Sequence, residues 1–170
     1  ERISEYDAKV PQILNECFEK FFEKTGRKYQ IFEYFGDNNA SKVVVLMGSA
    51  YETAKNAVKV LGKDCGVLCV NLLNPFCKEE FLKVLPKQTK IITVLDRTKQ
   101  TGNICEELAK NVYAMFDEKS CIKILHGRYG LGGKDFDINM SLSVFENMDK
   151  EQKNNFVVGI DDDISNNSLV

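Results

Sequence analysis

The sequence predicts a doubly wound α/β domain: a mainly parallel, five-stranded sheet with helices on both faces, preceded by one amphipathic helix. Three observations carry this. From residue 42 onward, short apolar runs rich in β-branched residues alternate with helical segments, the order that builds a parallel sheet. The runs are apolar throughout rather than every second residue, as in strands buried on both faces. A chain of 170 residues, 44% apolar and 28% charged, suits one soluble core.

Taken in order, "AKVPQILNECFEKFFEK" (8–24) sets Val10, Ile13, Leu14, Cys17, Phe18, Phe21 and Phe22 at helical spacing. Pro11 suits the first turn and Gly26 a carboxyl-terminal cap. The phenylalanine stripe is expected to join the core. "RKYQIFEYFG" (27–36) is a short extended segment. Strands follow at 42–48, 66–73, 90–96, 121–126 and 155–160, with helices at 51–61, 78–85, within 103–117, and near 137–148. Residues 1–26 form a leading helix and connector, and residues 27–170 a single α/β domain. The start at Glu1, with no initiating Met, and the end at "NNSLV" point to a piece excised from something longer.

Several function classes fall away. A net charge of −2, with basic residues spread along the chain, argues against a nucleic-acid partner. No apolar run approaches the roughly 18–20 residues that span a bilayer, so no membrane partner is expected. Cys17, Cys65, Cys69, Cys77, Cys105 and Cys121 form no CxxC and accompany a single His, so no zinc site of ordinary spacing exists. Free thiols in a reducing compartment are expected, which makes the N-x-S matches at Asn39, Asn139 and Asn166 incidental. The expected location is intracellular and cytoplasmic, with a reducing organelle as the alternative.

In such a sheet, ligands bind outside the carboxyl ends of the strands. "MGSAYET" places Gly48 and Ser49 at a strand-to-helix turn but lacks GxGxxG and GxxxxGK[ST]. "LDRTKQTG" sets Asp96, Arg97 and Lys99 at a strand end, as a functional pair or as charges that order the loop and meet a neighbouring domain. "LHGRYGLGGKDF" (125–136) resembles a phosphate loop loosely, yet Asp135 follows Lys134 where Ser or Thr would reach magnesium. Its glycines have a simpler use in positive φ and close backbone approach, and Arg128 and Tyr129 are expected to face outward. His126 alone could transfer protons near neutral pH, but no Ser or Cys partner is identifiable. Asp161, Asp162 and Asp163 lack the alternate spacing of a calcium loop. No catalytic residue, cofactor site or metal site is assigned. The candidates for contact with another domain are Asp96, Arg97, Lys99, Arg128 and Tyr129, and the loop-shaping glycines are Gly48, Gly102, Gly127, Gly130 and Gly132.

The ordered segments "YFG" (34–36), "VVLMGSAYET" (44–53), "PF" (75–76), "LPK" (85–87), "VLDRTKQTG" (94–102), "GRYGLGGKDF" (127–136) and "VVGIDDDISNNSL" (157–169) carry a resemblance. The chain resembles the second, transketolase carboxyl-terminal-like domain of pyruvate:ferredoxin oxidoreductase and of its pyruvate:NADP oxidoreductase relatives. It departs from that family at Gln100-Thr101, where Glu-Pro is usual, at Cys105-Glu106-Glu107, where Gly-Glu-Pro is usual, and at Asn74, where a basic residue is usual. The resemblance implies a parent enzyme that uses thiamine diphosphate, magnesium and 4Fe–4S clusters, with FAD or FMN in an NADP-linked form. That parent would convert pyruvate and CoA to acetyl-CoA and CO2, pass electrons to ferredoxin or NADP, and dimerise. This domain has neither a GDG…N pattern for the diphosphate nor a cluster-binding cysteine run. It is therefore expected to bind none of these cofactors, to be inactive alone, and to contact the other domains of its polypeptide. Replacing Arg128 with Ala is expected to leave the isolated domain folded. Two alternatives remain open: the related domain of a sulfite reductase flavoprotein subunit, and a stand-alone flavodoxin-like nucleotide-binding module.

Overall fold

The structure is a computed structural model that describes residues 2–117, 120–161 and 164–169. Asp162 and Asp163, from the acidic run, lie outside the described residues. The elements are α1 (Arg2–Asp7), α2 (Val10–Thr25), β1 (Phe32–Gly36), β2 (Lys42–Leu46), α3 (Ala50–Leu61), β3 (Cys65–Val70), α4 (Lys78–Val84), β4 (Ile91–Asp96), α5 (Glu107–Tyr113), β5 (Lys123–Arg128), a 3-10 turn (Leu131–Gly133), α6 (Ile138–Asp149), β6 (Phe156–Val158) and β7 (Ser168–Leu169).

The strands form one sheet in the order β1-β3-β2-β4-β5-β6-β7. All neighbours are parallel except β1, which runs antiparallel to β3. The sheet therefore has seven described strands rather than the five expected. The five expected strands appear as β2 to β6. The extended segment at 27–36 adds an antiparallel edge, and two residues near the carboxyl terminus add the other. Both additions are short edge pairings, for which an apolar run is no prerequisite.

Residue alternation along each strand separates two core layers. On one face, Val44 and Leu46 of β2 meet Ala54 and Val58 of α3 and Val144, Phe145 and Met148 of α6. On the other, Val43 and Val45 meet Phe81 of α4 and Leu108, Ala109 and Val112 of α5. Burial on both faces explains why β3 and β4 are wholly buried. α6 starts at Asp137, whose carboxylate accepts from Met140 N–H at 2.9 Å, an ordinary N-cap.

One helix lies within its expected range but stops before Phe116, and another differs from expectation. α5 is only seven residues long, because residues 97–106 form a folded loop that delivers its first turn to Asp96. α2 ends at Gly26 in the left-handed region, as expected, but has no buried residue. Leu14 and Phe18 lie half-buried against the sheet, while Ile13, Phe21 and Phe22 remain 55%, 39% and 48% exposed. The stripe expected in the core thus lies mostly outside it: both faces of the sheet are already covered by α3 to α6, and α2 finds only its margin.

Candidate functional site

The order places β2 between β3 and β4. The connection leaving β2 runs through α3 to β3, and the one leaving β4 runs through α5 to β5, in opposite directions along the sheet. Between the carboxyl ends of β2 and β4 this opens a crevice, the usual ligand position in open α/β sheets. A cavity of about 390 Å³ occupies it, with Met47, Ser49, Asp96, Arg97, Glu107 and Tyr129 among its lining residues.

Asp96 ends β4 and is 8% exposed. Its two oxygens accept from Leu108 N–H and Ala109 N–H, each at 3.2 Å. It thus caps α5 from a different element, satisfying amides the helix cannot satisfy itself. Burial raises its pKa, and the two amides oppose that rise.

Arg128 ends β5 and is 3% exposed; its partner Glu106 is 1% exposed. Nε donates to Glu106 Oε1 at 2.7 Å and Nη2 to Oε2 at 3.1 Å, a two-pronged pair of the strong kind. Glu106 Oε1 also accepts from Gln100 N–H at 3.1 Å, so one carboxylate ties the 97–106 loop to β5. Burial pushes the Glu106 carboxyl up, but the Arg128 bonds, the Gln100 amide and the charges of Arg128 and Lys99 bring it below its usual value. Tyr129 is 4% exposed. Its hydroxyl donates to the Met47 carbonyl at 3.1 Å and its ring meets Phe136 at 4.8 Å.

Arg128 and Tyr129 therefore point inward, contrary to the outward orientation expected of them. The cause is parallel register: Asp96 pairs with Arg128 across β4 and β5, so the end of β5 lies inside the sheet rather than on its rim. Glu106 was missed as a partner. A signal existed, since an arginine on a buried strand requires a carboxylate, but nothing in the sequence says which. Arg97 and Lys99 are exposed.

Gly48, Gly102, Gly130 and Gly132 all have positive φ. Gly130 is required twice over, because its φ is +61° and a Cβ there would stand 3.0 Å from Arg97 Nε. Gly127 is not a loop residue. It lies within β5, and a Cβ would come within 2.3 Å of the Phe156 ring, so its role is close approach rather than a turn.

His126 is buried, with Nδ1 3.2 Å from the Tyr113 hydroxyl, which itself donates to the Ile124 carbonyl at 3.1 Å. Burial and then the Arg128 charge lower its pKa, so the imidazole is neutral at neutral pH. Among the described residues no three His, Cys, Asp or Glu side chains gather as a metal site, and no helix is long and apolar enough to cross a membrane.

Fold and edge together define a doubly wound parallel α/β domain whose buried acid and base groups brace its own loops. The pattern described as "Pyruvate:ferredoxin oxidoreductase core domain II" matches residues 40–140, more than half of the chain. The chain belongs to that family. A pyruvate-flavodoxin oxidoreductase of Trichormus variabilis is 40% identical over 99% of this chain and 15% of its own length. A pyruvate:ferredoxin oxidoreductase of Moorella thermoacetica is likewise 40% identical, over 99% and 15%. A mitochondrial pyruvate dehydrogenase [NADP(+)] of Euglena gracilis is 38% identical over 99% of the chain and 10% of its own length. The chain thus spans a small part of these relatives. A solved 2-oxoglutarate:ferredoxin oxidoreductase from Magnetococcus marinus shares the fold, with a TM-score of 0.52 and 17% identity over 69% of this chain and 19% of that one.

Proposed function

We propose that this chain is a non-catalytic interdomain domain of a thiamine diphosphate-dependent, iron–sulfur pyruvate oxidoreductase. The parent converts pyruvate and CoA to acetyl-CoA and CO2, passes electrons to ferredoxin or NADP, works as a homodimer, and resides in the cytoplasm. The observation that carries the reading is near-complete coverage of this chain by relatives of which it forms about 15%.

The residues at the carboxyl edge do not fit the parent's cofactors. A magnesium-held diphosphate needs free carboxylate or amide oxygens, yet Asp96 is bound to α5 amides and Glu106 to Arg128. A cluster needs several thiolates together, and no such group occurs among the described residues. Thiamine diphosphate, magnesium, the clusters and any flavin are accordingly assigned to other domains of the parent. The exposed apolar face of α2, with Ile13, Phe21 and Phe22, is the surface offered to a neighbouring domain, and Arg97 and Lys99 add exposed charge at the sheet edge. Isothermal calorimetry of this chain with magnesium and thiamine diphosphate tests the assignment. No tight, magnesium-dependent binding of thiamine diphosphate is expected, and such binding would overturn it.

A further inference from the structure

We propose that the crevice between β2 and β4 binds the phosphate group of a small ligand, gripped by Arg97 with the hydroxyls of Ser49 and Thr53. This goes beyond the interdomain role and does not depend on it. Beside the cavity already described lies a second, of about 270 Å³, lined by Ser49, Thr53, Arg97, Tyr129, Lys134 and Asp135 among others. Ser49, Arg97 and Tyr129 border both cavities, so Arg97 stands on the wall between them.

Among the described residues, Arg97 is the only exposed cation that lines both cavities. Its side chain crosses Gly130, where any Cβ would meet Nε at 3.0 Å and Cγ at 3.4 Å. Among the described residues no hydrogen bond or ion pair engages its guanidinium, and none engages the Ser49 or Thr53 hydroxyl. The nearby carboxylates do not serve it: Asp96 faces the α5 amides, Glu107 lies 3.6 Å from Lys110, and Glu52 lies 2.6 Å from Lys55.

A planar fork of donors without an acceptor, with two hydroxyls lining the same cavity, matches a tetrahedral oxyanion. Lys134 adds a second cation on the rim, its ammonium held 2.9 Å from the Gly159 carbonyl. Asp135 lines the same cavity and opposes an anion, leaving two cations against one carboxylate. The volume lies just below that of ordinary small-molecule pockets, which favours a compact phosphate group over a whole dinucleotide.

The test is an NMR-monitored titration of the 170-residue chain with inorganic phosphate, with pyrophosphate, and with acetate as the carboxylate control, at fixed ionic strength. Saturable phosphate binding is expected, with shifts centred on Ser49, Thr53 and Arg97 and an affinity about tenfold above that of acetate. Arg97→Gln should weaken phosphate about tenfold without lowering the melting temperature, and Arg97→Lys should restore part of the loss. Tighter binding of pyrophosphate than of phosphate would identify the ligand as a phosphorylated molecule, and the reverse order as free phosphate. Absence of saturable binding, equal binding of acetate, or unchanged affinity in Arg97→Gln would overturn the proposal.

Discussion

At the scale of single residues, the carboxyl edge is held by groups that looked functional from their positions. Arg128 is the sharpest case. Removing one partner of a buried ion pair leaves an unpaired charge, at a cost of about 3–5 kcal/mol. Arg128→Ala should therefore unfold the isolated chain or destabilise it by about that amount in urea titrations, the reverse of what an outward-facing arginine would give. His126 supplies a pH-dependent counterpart. Its folded-state value lies below the ordinary 6.5, so the stability it contributes is complete above 6.5 and is lost as pH falls through that value. Glu106 acts in the same sense below 4.5. Asp96, raised above 3.8, acts in the opposite sense, so the comparison must be made against a His126→Gln variant. Wild-type stability should fall relative to that variant between about pH 7 and about pH 5, and parallel curves would count against the burial of a neutral imidazole. The sequence placed Asp96 at the end of one strand and Arg128 in the loop after the next, but carried no sign of the Glu106 partnership, which depends on a loop folding back across two strands.

Among the elements, the β2–α3–β3 and β4–α5–β5 units were legible because each strand is apolar on both faces and each helix has one apolar stripe. The two edge strands were not, since β7 has two residues and β1 alternates no more clearly than a loop. α2 was legible as a helix but not in its placement. Periodicity reports that a helix has an apolar face and says nothing of which surface meets it. The joint substitution Ile13→Ser and Phe22→Ser should leave the isolated chain within about 1 kcal/mol of wild type, because exposed side chains contribute little. The same pair in the parent polypeptide should loosen the packing of this domain, read as faster limited proteolysis near residues 26–31. An unchanged cleavage rate would remove α2 from the interface.

For the whole molecule, the sheet order creates a crevice at a switch point, while the ionisable groups around it mostly secure the loops that form its walls. On the proposed reading, catalysis by the parent belongs to other domains. The most direct measurement is kcat for pyruvate oxidation by the full parent enzyme carrying His126→Gln, normalised to folded protein. General acid–base groups contribute about 10²–10⁴-fold. A bracing role predicts a kcat within about twofold of wild type, and a hundredfold fall in fully folded enzyme would contradict it.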